Sequence, residues 1–467
     1  MKMTKMALLA GAALAVTTAG AQADDLEALK AQIETLNARV AAMETAPSVP
    51  AGYQLIAVSK GELQQTPGLS MSARELAAYG NRATVISVLP TADAPAGATI
   101  SWSGYARAGL VYENESVDQE LIDDGDVLST SDFADLNADT EEDDIDVEAR
   151  GEIRVKASTD TAVGEVGVDI RLRGDFNGNG TADIYSDVAW GYWAMTPELT
   201  FGGGYTGSLG NIDYGYDGAC FCEYTDNADL DFNPGDVTQM RLSYASGPFS
   251  MAIALEDGSI RKDELDDTDG DRLGAAGEIK FSGDSFSGEI SGVWRDVDEN
   301  AITTVAPPEA QWQVGMGVGF ALGDVATLSL AAAMGEGRFE VEREGEVIDL
   351  VDYNNSWWGV TALASMNLSD EVHAELAVGY KNREGDSYTI DDASSDLDGF
   401  DSSGVEYETY GVMGGVYYTP VDQLTIGLEG EWYTTSIDED LTDGSDDVIY
   451  KSDTDTFSAN LVSLWRF

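Results

Sequence analysis

From about residue 98 onward the chain alternates apolar with polar or small residues. Ile100, Trp102, Ala106, Ala108, Leu110 and Tyr112 share one face. Trp312, Val314, Met316, Val318, Phe320 and Leu322 share another, opposite Gln313, Gly315, Gly317 and Gly319. The last such run places Phe457, Ala459, Leu461, Ser463, Trp465 and Phe467 on one side, against Ser458, Asn460, Val462, Leu464 and Arg466. A period of two means a strand with two different faces. Sixteen runs are counted, starting near 99, 147, 164, 184, 199, 237, 248, 272, 285, 311, 326, 356, 371, 405, 423 and 456.

The connections alternate in length. Short turns are predicted at Ser158–Ala162, Thr196–Glu198, Gly247–Pro248, Gly283–Asp284, Gly323–Asp324, Ser369–Asp370 and Thr419–Gln423. Long connections are predicted at about 114–146, 174–183, 206–236, 257–271, 296–310, 341–355, 384–404 and 436–455. An even strand number, with short turns at one rim and long loops at the other, is the pattern of a transmembrane β-barrel. The fold class expected is therefore all-β, a sixteen-stranded antiparallel barrel over residues 98–467. A soluble sandwich would lack this alternation and would leave the apolar faces without a core.

The first ninety-odd residues are patterned differently. Lys2 and Lys5, the apolar stretch Ala7–Val16 and Ala21-Gln22-Ala23 predict a signal peptide over 1–23. Leu26, Ile33 and Val40, with Leu29, Leu36 and Met43, form a heptad seam, predicting a coiled-coil helix over 24–46. Residues 52–90 predict a small periplasmic strand–helix–strand unit. Its strands are Tyr53–Ser59 and Ala83–Leu89, and Ser72-Ala73-Arg74-Glu75 is a capping box between them. Met71 and Leu76 are placed for a hydrophobic staple, and Gly80 is the stop. Ala92–Gly97 reads as a linker. No later segment offers the ~18 consecutive apolar residues of a transmembrane helix.

Composition narrows the function. Lys and Arg total 25 against 85 Asp and Glu, a net charge of −60. That balance excludes a nucleic-acid partner, which needs a basic surface. A disordered acidic chain is opposed by 51 Gly, 20 Tyr and 9 Trp. Cys220 and Cys222 flank Phe221, and in an oxidising compartment they predict a disulfide; two free thiols are the alternative.

If the apolar face meets lipid, the other face lines a lumen. There the pattern puts Arg107, Arg150, Arg154, Lys156, Arg171, Arg173 and Arg241, a basic strip on early strands. The alternative is that these bases merely pair with Glu148, Glu152 and Asp169 to stabilise the wall. The 206–236 connection carries Asp213, Asp217, Glu223, Asp226, Asp229, Asp231 and Asp236 and no Lys or Arg. On these features the chain resembles the sixteen-stranded general porins, especially those of alphaproteobacteria, and its aromatic last strand with Phe467 resembles the final strand of bacterial outer-membrane barrels. The resemblance covers about residues 98–467, and the N-terminal regions depart from simple general porins.

The resemblance implies a homotrimer in the outer membrane of a Gram-negative bacterium. It also implies passive diffusion of small hydrophilic solutes and ions, with no enzyme activity and no required cofactor. It further implies that the 206–236 loop folds into the barrel as the pore constriction, its acids facing the basic wall. The first long connection, Glu113–Asp146, carries acids and no base, so a cation preference is expected. Asp175, Asn177, Asn179 and Asp183 match the start of a calcium loop, although Ser186 stands where its bidentate Glu would be; a Gly/Asn turn is the alternative. His373, the single histidine, has no nucleophile motif around it. Two other functions remain open. One is an envelope tether whose residues 24–95 bind peptidoglycan or another periplasmic partner. The other is a channel selective for sugars or another nutrient.

Overall fold

The computed structural model describes residues 55–80, 82–89, 97–123, 126–127, 139–176, 182–218, 230–257, 273–296, 310–336, 340–343, 346–349, 355–385, 388–389, 401–442 and 447–467. The expected signal peptide, the 24–46 coiled coil and the Cys220/Cys222 pair lie outside these residues. Two compact units are present. Met1–Val58 with Ile86–Thr99 forms one; Ser59–Val85 with Ile100–Phe467 forms the other. Of the first, the described residues are those at the outer ends of β1 (Leu55–Glu62) and β2 (Arg82–Leu89) and the lead into the wall. Between β1 and β2 lies helix α1 (Ala73–Tyr79).

The wall consists of sixteen strands. They are β3 (Ala98–Asp123), β4 (Asp139–Thr161), β5 (Gly164–Phe176), β6 (Ala182–Ala194), β7 (Leu199–Gly207), β8 (Asp236–Ser246), β9 (Phe249–Asp257) and β10 (Leu273–Ser282). There follow β11 (Phe286–Asp296), β12 (Ala310–Leu322), β13 (Ala326–Glu336), β14 (Asn355–Asn367), β15 (Val372–Gly385), β16 (Asp401–Val421), β17 (Leu424–Thr442) and β18 (Asp447–Arg466). Neighbours in sequence are neighbours in the sheet. β18 then pairs antiparallel with β3, with Leu461 opposite Leu110 and Arg466 opposite Tyr105, so the sheet closes on itself. Closure removes every free edge.

Burial along the strands is the inverse of a water-soluble protein. On β5, Val166, Val168, Ile170 and Leu172 are exposed, whereas Asp169 and Arg171 are buried. On β12, Val314 and Met316 are exposed and Gln313 is buried. An apolar outer belt with a polar interior satisfies a wall solvated by lipid, where a base facing the bilayer midplane would cost ~2–4 kcal/mol. Aromatic residues gather at both rims. Near the short turns, Phe249, Phe281, Phe286 and Phe320 form a chain of rings 5.0–5.9 Å apart. Near the long loops stand the pairs Tyr112–Phe457, Trp358–Tyr380 and Tyr410–Trp432. Such girdles suit a ring that is apolar in body and polar at its tip.

Five strands run further than their apolar alternation predicts, β3 to Asp123 and β17 to Thr442 among them. β4 begins at Asp139, β16 at Asp401 and β18 at Asp447. There Thr434–Thr442 pairs with Asp447–Asp455 in an acid-rich hairpin. The backbone ladder alone sustains such a segment, and an apolar period is demanded only where one face meets lipid.

Candidate functional site

Two segments occupy the lumen. The first runs from Leu63 to Gly80 and contains α1. Its capping box is formed as the sequence predicts. Ser72 Oγ accepts from Glu75 N at 3.2 Å, and Ser72 N donates to Glu75 Oε2 at 2.7 Å. Gly80, at φ 66°, ends the helix with its N–H on Leu76 O. The sequence assigns this helix to a separate unit, but the structure packs it inside the same unit as the wall. Met71, Ala78 and Tyr79 form one buried cluster with Tyr105 of β3 and Leu464 of β18. Leu69 packs with Val188, Trp190 and Tyr192 of β6. Gly68, at φ 78°, carries the chain through the tight bend before Leu69.

The polar contacts of this insert fall on the basic strip. Arg154 Nη2 donates to Thr66 Oγ1 at 3.1 Å, Lys156 Nζ to Gln65 O at 2.6 Å and Arg241 Nη1 to Gly68 O at 3.2 Å. Arg171 forms an ion pair with Glu75. Tyr79 donates to Glu152, which also accepts from Tyr105 at 3.1 Å. Burial, reinforced by the Glu152 carboxylate, pushes the Tyr79 phenol far up, so it stays a donor at any physiological pH. At the helix C-terminus Arg466 Nε donates to the carbonyls of Ala77 and Ala78 at 2.8 and 3.1 Å. A cation there answers the carbonyls the helix leaves open and its dipole.

The second segment is the loop after β7, described over 208–218 and 230–235, with a short helix α2 (Gly215–Gly218). It does fold inward. Ser208 Oγ donates to Glu256 of β9 at 2.8 Å, and Ser291 of β11 and Gln313 of β12 both donate to Gly210 O. Gly215 N meets Ser329 Oγ of β13, and Tyr216 OH reaches Glu431 of β17 at 2.6 Å. The wall is shaped to receive it. A Cβ at Gly317 would lie 2.4 Å from the Tyr214 ring, and one at Gly315 3.0 Å from Ile212. The glycine stripe Gly315-Gly317-Gly319 on β12 is thus the seat of this loop, a role its alternation alone did not disclose.

Insert and loop leave a cavity of ≈ 250 Å³ between them. Arg171, Arg173, Arg241 and Lys280 line it together with Glu75, Asp187, Asp213, Asp236 and Glu278. Its bases are matched. Lys280 contacts Asp213 and Glu278, both at 2.9 Å, and Glu289 at 3.4 Å. Arg173 lies 3.0 Å from Glu152 and 2.9 Å from Asp187. The Arg241 guanidinium is held by Gly68 O, Gly207 O and Gln239 Oε1 and lies over the Trp190 ring. Asp236 is exposed on the cavity, and its carboxylate makes no hydrogen bond or ion pair among the described residues.

This arrangement differs from a loop of acids facing the basic strip. Arg154, Lys156, Arg171 and Arg241 face the insert, and Asp213 is held by Lys280, which the sequence reading did not single out. Arg107 is buried on the inner face, and Arg150 pairs with Asp175. Asp217 lies in α2, while Glu223, Asp226 and Asp229 lie outside the described residues. The wall-pairing alternative holds for Arg154 with Asp169 and Arg173 with Glu152. Of the calcium candidates, Asp175 is engaged by Arg150 and Tyr185 and lies opposite Asp183 in the β5–β6 ladder; Asn177 and Asn179 lie outside the described residues. Among the described residues no group of three or more acidic, His or Cys side chains is arranged to hold a metal. Ser365 Oγ lies 3.2 Å from His373 Nε2, a proximity no motif announced, but Glu375 Oε1 is nearer at 2.8 Å and competes for that nitrogen.

No family model and no curated protein matches the chain. Among solved structures it is similar to an anion-selective porin from Comamonas acidovorans, at 10% identity and a TM-score of 0.50, covering 79% of this chain and 100% of that one. It is also similar to a loop L8 deletion mutant of OmpT, an outer membrane protein of Vibrio cholerae, at 12% identity, TM-score 0.43 and coverage of 79% and 99%. A Rhodopseudomonas blastica porin triple mutant matches at 14% identity, TM-score 0.39 and coverage of 79% and 100%. Likeness at such identity concerns the fold. Its closed wall and apolar outer belt give the chain the fold of a membrane-spanning β-barrel.

Proposed function

We propose that the protein is a porin-type channel for passive diffusion of small hydrophilic solutes and ions, passing them through the slot between the lumen insert and the 208–236 loop. The observation that carries this reading is a closed wall, apolar outside and polar inside, whose lumen keeps a charged cavity. Charges of both signs on that cavity set a transverse field, which orders water and favours polar solutes. The preference is for cations. Each lining base is matched by carboxylates or carbonyls, whereas Asp236 is unmatched, and the long connections are acidic. Association into trimers fits the same reading, with residues 24–46 as a second self-association element. Planar-bilayer recordings test it. The purified protein should give stepwise conductance, with a reversal potential of cationic sign across a KCl gradient. Asp236→Asn should move that potential towards anions. Folded protein without conductance would overturn the reading.

A further inference from the structure

We propose that residues 63–80 set the sign of ion selectivity by masking an anion-attracting track on the barrel wall. The inference rests on the channel reading above. Six wall bases meet this segment: Arg154, Lys156, Arg171, Arg241, Lys280 and Arg466. They receive oxygen atoms from it: the carbonyls of Gln65, Gly68, Ala77 and Ala78, the hydroxyls of Thr66 and Ser70, and the Glu75 carboxylate. The segment presents to the wall what an oxygen-rich anion would present.

Two of these bases, Lys156 and Arg171, depend on the insert for their closest negative partner, while Arg241 meets Gly68 O at 3.2 Å beside Gly207 O of the wall at 2.9 Å. Lys156 and Arg241 have no carboxylate within 4.0 Å among the described residues. Arg171 has Glu75, and otherwise only Asp187 at 4.0 Å. Arg154 and Arg173, by contrast, are neutralised from within the wall by Asp169 and Glu152. With the insert seated, the three bases are almost fully covered, Lys156 answered by the Gln65 carbonyl, Arg171 by the Glu75 carboxylate and Arg241 in part by the Gly68 carbonyl. Without it they would stand on the water-filled face of the pore, where fixed charge governs which ions enter.

A charge count makes a different forecast. Between Leu63 and Gly80 the charged residues are Arg74 and Glu75, so removing the insert removes no net charge. A count predicts a wider pore of unchanged preference; unmasking predicts a wider pore that turns towards anions.

The test replaces residues 64–79 with a Gly/Ser run of equal length in the full chain. Folding is checked by the mobility difference between unheated and heated samples. Bilayer recordings should then show higher conductance and a cation-to-anion permeability ratio lowered by about threefold or more, the effect of a unit charge ~6 Å from the ion path in water. Adding Lys156→Gln to that variant should move the ratio back towards cations, while the same change in the native chain, where Gln65 O covers Lys156 and it does not line the cavity, should move it little. Glu75→Gln is the point variant. Glutamine still caps Ser72 N, so the helix is kept, yet Arg171 loses its counter-charge. Its reversal potential should shift towards anions at nearly native conductance, and it decides the matter if the Gly/Ser variant does not fold. Native reversal potentials in the folded Gly/Ser variant, or in Glu75→Gln, overturn the proposal. A native chain without conductance removes the channel reading instead.

Discussion

Arg154→Met isolates the energetics of the lumen. Arg154 and Asp169 are 2% and 0% exposed. The guanidinium makes three contacts with the carboxylate: Nε at 3.0 and 3.1 Å and Nη2 at 2.6 Å. Methionine keeps much of the volume but leaves Asp169 charged, buried and supported by Thr66 Oγ1 at 2.5 Å. Removing one partner of a buried pair costs about 3–5 kcal/mol, because the remaining charge is uncompensated. That lowers the folded-to-unfolded ratio by about two to four orders of magnitude. Urea unfolding in detergent, followed by gel mobility of unheated samples, measures it. Asp169→Asn should be destabilising too, and the double variant should fall well short of the sum, since removing both charges leaves neither stranded. Strictly additive losses, or an Arg154→Met variant as stable as the native chain, would refute the account of a strongly coupled buried pair.

Gly317→Val should push the Tyr214 ring off its seat, costing about 1–3 kcal/mol and giving noisier, larger single-channel currents in a barrel that still shifts on heating. Arg466→Ala should free the C-terminal end of α1, read out as faster protease cleavage within 63–80 in detergent while the wall stays resistant. Mass measurement in mild detergent should give a trimer, and deletion of residues 24–46 should weaken but not abolish it; a monomer from folded material would sink that expectation.

The wall was legible because lipid demands a strict apolar period on every crossing, and β5 and β12 obey it. It was less legible where β4, β16 and β18 extend into water, since nothing there requires alternation. Helix α1 was legible as a helix from its capping box. Its place against the wall was not, because Met71, Ala78 and Tyr79 read equally well as the core of a small separate unit as they do packed on Tyr105 and Leu464. Its partners lie far away in sequence: Thr66 meets Arg154, Glu75 meets Arg171 and Ala77 meets Arg466. On the inner face Arg154, Lys156, Arg171 and Arg241 meet the 63–80 segment, a pairing that pattern alone does not disclose. Gly315, Gly317 and Gly319 held the missing clue for the loop, since a smooth inner face is useful only where backbone or rings must lie against it.

The Arg466 contact with α1 also orders events in time. It joins residues 389 positions apart, from helix α1 to strand β18. Because β18 completes the ring by pairing with β3, that latch cannot be set before the cylinder is shut. A contact of such sequence separation forms late, after the nearer hairpins have repaid their own loop entropy. The contacts of the insert with Arg154 and Arg171 span only 88 and 96 positions, so the segment settles on the early strands first and the Arg466 latch fastens it once the cylinder is shut.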